Sequence, residues 1–144
     1  QWIPDCGQRL DGDDAERLVV PIAMDLLSLQ GAAAALQTAA MLNGIFKADI
    51  RPVAFLPVMV NKQLQMTRLV LKQLEQMAAG SNVAVLAETR NDVSVNKAAK
   101  MRQFLVDFDP NSRITQDYTA AFEQLAAILE GTPHAGTVEA AQAR

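Results

Sequence analysis

Five basic residues, Arg90, Lys97, Lys100, Arg102 and Arg113, fall within a short interval that carries few acids until Asp107. Lysine and arginine hold phosphate oxygens, and a local patch is what nucleic-acid binding requires in a chain whose formal charge is −3. Arg68 is a further member of the candidate phosphate-binding set. A solvated surface is the alternative for any one of these side chains. The stretch "VDFDPNSRITQDY", residues 106 to 118, has the chemistry of a helix start, with Asp109 as N-cap and Pro110 at the first helical position. Cys6 and His134 are each alone, so there is no disulfide framework, no paired-thiol metal motif and no zinc set. A phosphate-binding loop needs glycines whose neighbouring N–H groups surround phosphates, a lysine, and a serine or threonine for magnesium. No Gly-Lys-Thr or Gly-Lys-Ser occurs in the chain.

These residues must be positioned by a fold. At 144 residues, with 50% hydrophobic and 20% charged residues, the chain suits one folded domain with a sizeable core. Its apolar runs break before the roughly 18 residues of a membrane span, and no basic-then-apolar leader precedes them. A soluble intracellular protein is the simplest reading. The chain begins with Gln1, which raises the expectation of a fragment of something longer.

Short apolar runs alternate with longer helical patterns. Strands are expected at Leu18 to Ile22, residues 50 to 60, 83 to 88, and 104 to 108. A Leu- and Ala-rich helix is expected over 25 to 42, capped by Asp25 or Ser28 and stopped by Asn43-Gly44. A second is expected over 63 to 79, with Leu64, Met66, Leu69, Leu71, Leu74 and Met77 on its apolar positions, and a third from Asp109 to Glu130. Met24, Met41, Met59, Met66 and Met77 read as core fillers. Residues 131 to 144 read as a loose tail, leaving 1 to 130 as the folded part. Strands joined by crossover helices imply an α/β fold, a mostly parallel sheet flanked by helices.

Four stretches go further. "LVVPIAMDLLSLQGAAAAL", "FLPVMVNKQLQMTRLVLKQL", "ETRNDVSVNKAAK" and "DFDPNSRITQDY" occur in an order and spacing that resembles the ParA-type DNA-partition ATPases, relatives of MinD among the P-loop NTPases. The resemblance covers roughly residues 17 to 130. Pro21, Asp25, Ser28, Leu29 and Gly31 match one family pattern; Phe108, Asp109, Pro110, Ser112, Gln116, Asp117 and Tyr118 meet another, with Phe108 in place of the usual tyrosine and Thr115 where alanine is common. The resemblance implies a partial P-loop NTPase (Rossmann-like) domain, the C-terminal half, in a cytoplasmic, nucleoid-associated bacterial protein. The complete family protein binds ATP and magnesium, forms a homodimer, binds DNA without sequence preference and answers to a ParB-like centromere-binding partner, with no membrane partner. It also implies roles for named residues. Asp5 is the candidate Walker B carboxylate, holding magnesium or its water; an ordinary surface aspartate is the alternative. Asn61 stands where relatives approach adenine, and an amide suits a purine edge, although the same side chain can cap the helix after Lys62. Asp109 and Pro110 fall on the rim of the nucleotide site near the base. Arg68, Lys97, Lys100 and Arg102 are candidates for the DNA face. Because the phosphate loop is missing, the chain alone is expected not to hydrolyse ATP. A non-enzymatic remnant that keeps a DNA-binding or dimerising surface is the alternative, and a MinD-like positioning ATPase is a third, disfavoured because "TVEAAQAR" is no basic amphipathic helix.

Overall fold

The computed structural model describes residues 16 to 131. It is α/β: a three-stranded parallel sheet, in the order β1-β2-β3, flanked by helices. The strands are β1 (Glu16–Ala23), β2 (Ile50–Val58) and β3 (Ala84–Val85). The helices are α1 (Leu26–Phe46), α2 (Gln65–Ser81), α3 (Val93–Lys100), α4 (Leu105–Phe108) and α5 (Arg113–Gly131). Asp5 and the tail beyond Gly131 lie outside the described residues.

Alternation along the strands divides two apolar cores. Ile22 and Phe55 point to one face, where they meet Ala32 of α1 and Leu74 and Ala78 of α2. Ala54 and Leu56 point to the other, beneath Ala121 of α5 with Tyr118, Leu125 and Ile128 around it. Both faces of β2 are therefore covered, as an apolar parallel strand requires.

Three prolines lie within strands without breaking them. Leu86 N–H donates to Phe55 O and Thr89 N–H to Pro57 O, each at 2.9 Å, so residues 55 and 57 direct their polar groups toward β3. Pro57 thus lacks its donor on the side where the β3 ladder has already ended. Leu56 therefore faces β1, and its register partner Pro21 turns its ring nitrogen to the outer edge. Pro52 sits at the register shift between Leu18 and Val19. The expected strand at 18 to 22 therefore runs longer, over Glu16–Ala23.

Asp25 caps α1, accepting from Ser28 N–H at 2.7 Å and from the Ser28 hydroxyl at 2.9 Å. Those bonds, the backbone one first, hold its carboxyl below the ordinary range. Asn43-Gly44 does not stop α1, which continues to Phe46 and closes on Lys47 with φ 52°. The Asn43 amide is used differently: it donates to Ile50 O and accepts from Ile50 N–H, both at 2.8 Å. It imitates a strand partner and fastens the end of α1 to the start of β2.

The structure corrects several expectations. Residues 104 to 108 form a helical turn, with Phe108 N–H on Phe104 O and Asp109 N–H on Leu105 O, each at 2.9 Å. A short apolar run has no preference of its own between strand and helix, and here Phe104 and Val106 are exposed. The strand at 83 to 88 shrinks to two residues, followed by separate bonds to β2 and an isolated bridge between Val60 and Arg90. Helix α2 buries Thr67, Val70, Leu74 and Ala78, whereas Leu64, Met66 and Leu69 face outward. Met24 and Met77 pack against the core, but Met41, Met59 and Met66 are exposed.

Candidate functional site

Beyond the carboxyl ends of β2 and β3 lies an open pocket of about 650 Å³. In open parallel sheets this is where loops gather and ligands bind. The loop after β2 begins at Met59, whose φ of 54° is left-handed, and this turns the chain into Val60, Asn61 and Lys62. Asn61 caps the following turn: its side-chain oxygen accepts from Gln63 N–H at 3.1 Å, and its carbonyl accepts from Leu64 N–H at 3.1 Å. It does not cap α2, whose N-cap is Leu64 with no side-chain cap bond; its side chain is exposed, and the pocket lining passes through Val60 and Lys62 on either side of it.

The pocket wall is held by polar bonds between the loop after β3 and α5. Asp117 accepts from Arg90 three times, from Nε at 2.7 Å, from a terminal guanidinium nitrogen at 3.0 Å and from the backbone N–H at 3.1 Å. Two turns along α5, Gln124 Oε1 accepts from Ala87 N–H at 2.6 Å. The Arg90 side-chain bond holds the Asp117 carboxyl below the ordinary range, and the same bond raises Arg90. Across the pocket Lys62 pairs with Glu88.

This pairing decides what the pocket suits. Both cations lining it, Lys62 and Arg90, already face a carboxylate, and Glu75 adds another negative group. The residues present do not fit a polyphosphate. Among the described residues, no three His, Cys, Asp or Glu side chains are grouped to hold a metal.

Asp109 and Pro110 lead into α5, but Asp109 is not its N-cap. The helix starts at Arg113, and Ser112 Oγ accepts from Thr115 N–H at 3.2 Å. Asp109 contributes its carbonyl, which accepts from the Thr115 hydroxyl at 2.7 Å and lies 3.0 Å from Ser112 Oγ. Thr115 is buried, and its hydroxyl finds a partner that alanine would not supply. The pocket lining includes Asp117 from α5 and neither Asp109 nor Pro110.

The basic candidates divide among three elements, with Arg113 exposed at the start of α5. Lys97 and Lys100 are exposed, three residues apart in the last turn of α3, and Arg102 follows with φ 53°. Cations there complement the negative end of the helix, while Asp92 caps the other end by accepting from Ser94 N–H at 2.8 Å. Arg68 is exposed on the separate helix α2. Arg90, counted with the basic residues in sequence, is instead committed to Asp117.

The sequence reading missed the Arg90–Asp117 and Gln124–Ala87 latches. The seven-residue spacing of Asp117 and Gln124 puts them on one side of a helix, and that signal was readable. No helix among the described residues is long and apolar enough to cross a membrane. Compared with models of known protein families and with curated proteins, the chain matches none.

Proposed function

We propose that this chain supplies the part of a ParA-like partition ATPase domain that follows the phosphate loop, and that it acts in plasmid or chromosome segregation by contacting DNA. ATP and magnesium belong to the complete domain, as do the nucleotide-dependent homodimer and a ParB-like partner. What supports the reading is the placement of the four ordered stretches on successive parts of one parallel sheet: β1 with α1, β2 with α2, the β3 loop with α3, and the turn into α5. The exposed pair Lys97 and Lys100, with Arg102 beside it, is the surface this reading uses. Phosphate contacts of this kind give affinity without sequence preference and weaken as salt rises.

A gel-shift titration on nonspecific duplex DNA tests it. Binding should fall with salt and be lost in Lys97→Ala/Lys100→Ala; binding that survives both substitutions places the contact elsewhere and removes the support. The pairing of both pocket cations favours a second reading, a non-enzymatic chain that retains the DNA surface. Magnesium-dependent ATP turnover by the purified chain would refute that second reading.

A further inference from the structure

Helix α1 has 21 residues and none is charged. Its inner side is fixed by Ala32 and Ala39, and its exposed side carries Leu26, Leu27, Met41, Ile45 and Phe46, with Gln30, Gln37 and Thr38 as its polar residues. An uncharged helix that exposes this many large apolar side chains marks an interaction surface. Leu27, Gly31, Ala34, Thr38, Met41 and Ile45 are all exposed, and their alternating four- and three-residue spacing makes one continuous seam of the kind that packs against another helix. Leu27 is 78% exposed, Ile45 66% and Met41 54%. Gly31 is costly within a helix, and a Cβ placed on it would meet nothing within 4 Å. Nothing among the described residues explains the missing side chain.

We infer that this seam is a docking surface for a second copy of the same chain, with the two α1 helices antiparallel. The seam is complementary to its own reverse. In one register Leu27 lies opposite the partner's Ile45, Gly31 opposite the partner's Met41, and Ala34 opposite the partner's Thr38, so small residues face larger ones at the centre and large apolar residues close the ends. The same register sets Asp25, just before the helix, against the partner's Lys47, just after it; both are exposed and of opposite charge. Sequence, shape and charge therefore share a single two-fold axis, as an isologous interface requires. The seam spans about 27 Å at the helical rise. The interface uses no nucleotide and does not rest on the function proposed above.

Light scattering after size-exclusion chromatography of the full 144-residue chain, without nucleotide and across a concentration series, reads the outcome. The mass should rise from 15.6 kDa toward twice that value. Ala34→Glu, an exposed change to a good helix former, should weaken association about tenfold or more by placing two carboxylates near the axis, with thermal stability at low concentration unchanged. Gly31→Leu should weaken it by meeting the partner's Met41, and Gly31→Leu/Met41→Ala should restore it, because the large and small residues have exchanged places. A dimer indifferent to Ala34→Glu, or a double variant no better than Gly31→Leu, overturns the inference. A chain that stays monomeric throughout also overturns it, and if Ala34→Glu then lowers thermal stability, the seam is covered by other residues of its own chain.

Discussion

Asn43 offers a sharp test of how α1 is joined to the sheet. Its side-chain amide makes two hydrogen bonds with one backbone residue, donating to Ile50 O and accepting from Ile50 N–H, in a part-buried position. Each bond is worth about 1 kcal/mol net, so Asn43→Ala should lose about 2 kcal/mol. Alanine returns up to about 0.7 kcal/mol through its better helix propensity. The expected cost is therefore about 1.5 kcal/mol, measured by urea denaturation at pH 7. Asn43→Asp separates the two bonds. The introduced carboxylate still accepts from Ile50 N–H but points an unprotonated oxygen at Ile50 O, and that repulsion together with partial burial raises its folded pKa. A raised carboxyl pKa means that its favourable contribution is full at low pH and is lost as pH rises through the folded value. The stability of Asn43→Asp relative to Asn43→Ala should thus fall from acid to neutral pH. A difference between these variants that is flat with pH, or an Asn43→Ala change that costs nothing, refutes the paired-amide account.

Other outcomes follow from the same geometry. Asp117 has a lowered folded pKa, so its contribution is present above the unfolded value of about 4 and fades as pH falls through the folded one; Asp117→Asn should flatten the acid limb of a thermal-melt pH series, and an unchanged limb counts against the latch. Thr115→Val keeps the shape of the side chain but leaves the Asp109 carbonyl without its 2.7 Å partner, which should cost about 1 kcal/mol in chemical denaturation. Leu74 is fully buried between α2 and the sheet, so Leu74→Ala should cost about 2 to 5 kcal/mol, and a smaller loss would mean that the site collapses around the gap.

The alternation of strands and helices was legible because each signal was local. Asp25 announces α1 through its own side chain, and Ile22, Phe55 and Leu74 carry their apolar character wherever they are placed. The failures were tertiary. The run at 104 to 108 has strand-forming residues, but its backbone bonds close within the segment, and no local signal states whether a neighbouring strand will be available. Asn43 has the composition of a helix stop, yet Ile50 offers its amide two bonds that let the helix continue. At the candidate site, Arg90 reads in sequence as one more basic residue because charge is visible there and pairing is not. Its partner Asp117 lies 27 residues away. Asn61 reads in sequence as a helix cap or a ligand-facing amide, yet its side chain closes only the local turn at Gln63, and α2 begins beyond it with Leu64 as N-cap.

Pro21 has a consequence for self-association of a less welcome kind. Its ring nitrogen faces the outer edge of β1, where among the described residues no strand pairs. An incoming strand that tried to extend the sheet there would meet a missing donor partway along the eight-residue edge. Proline on an edge is a known guard against open-ended growth. The chain thus blunts the side of the sheet where copies would otherwise add without limit, while α1 presents a face whose pairing closes after two.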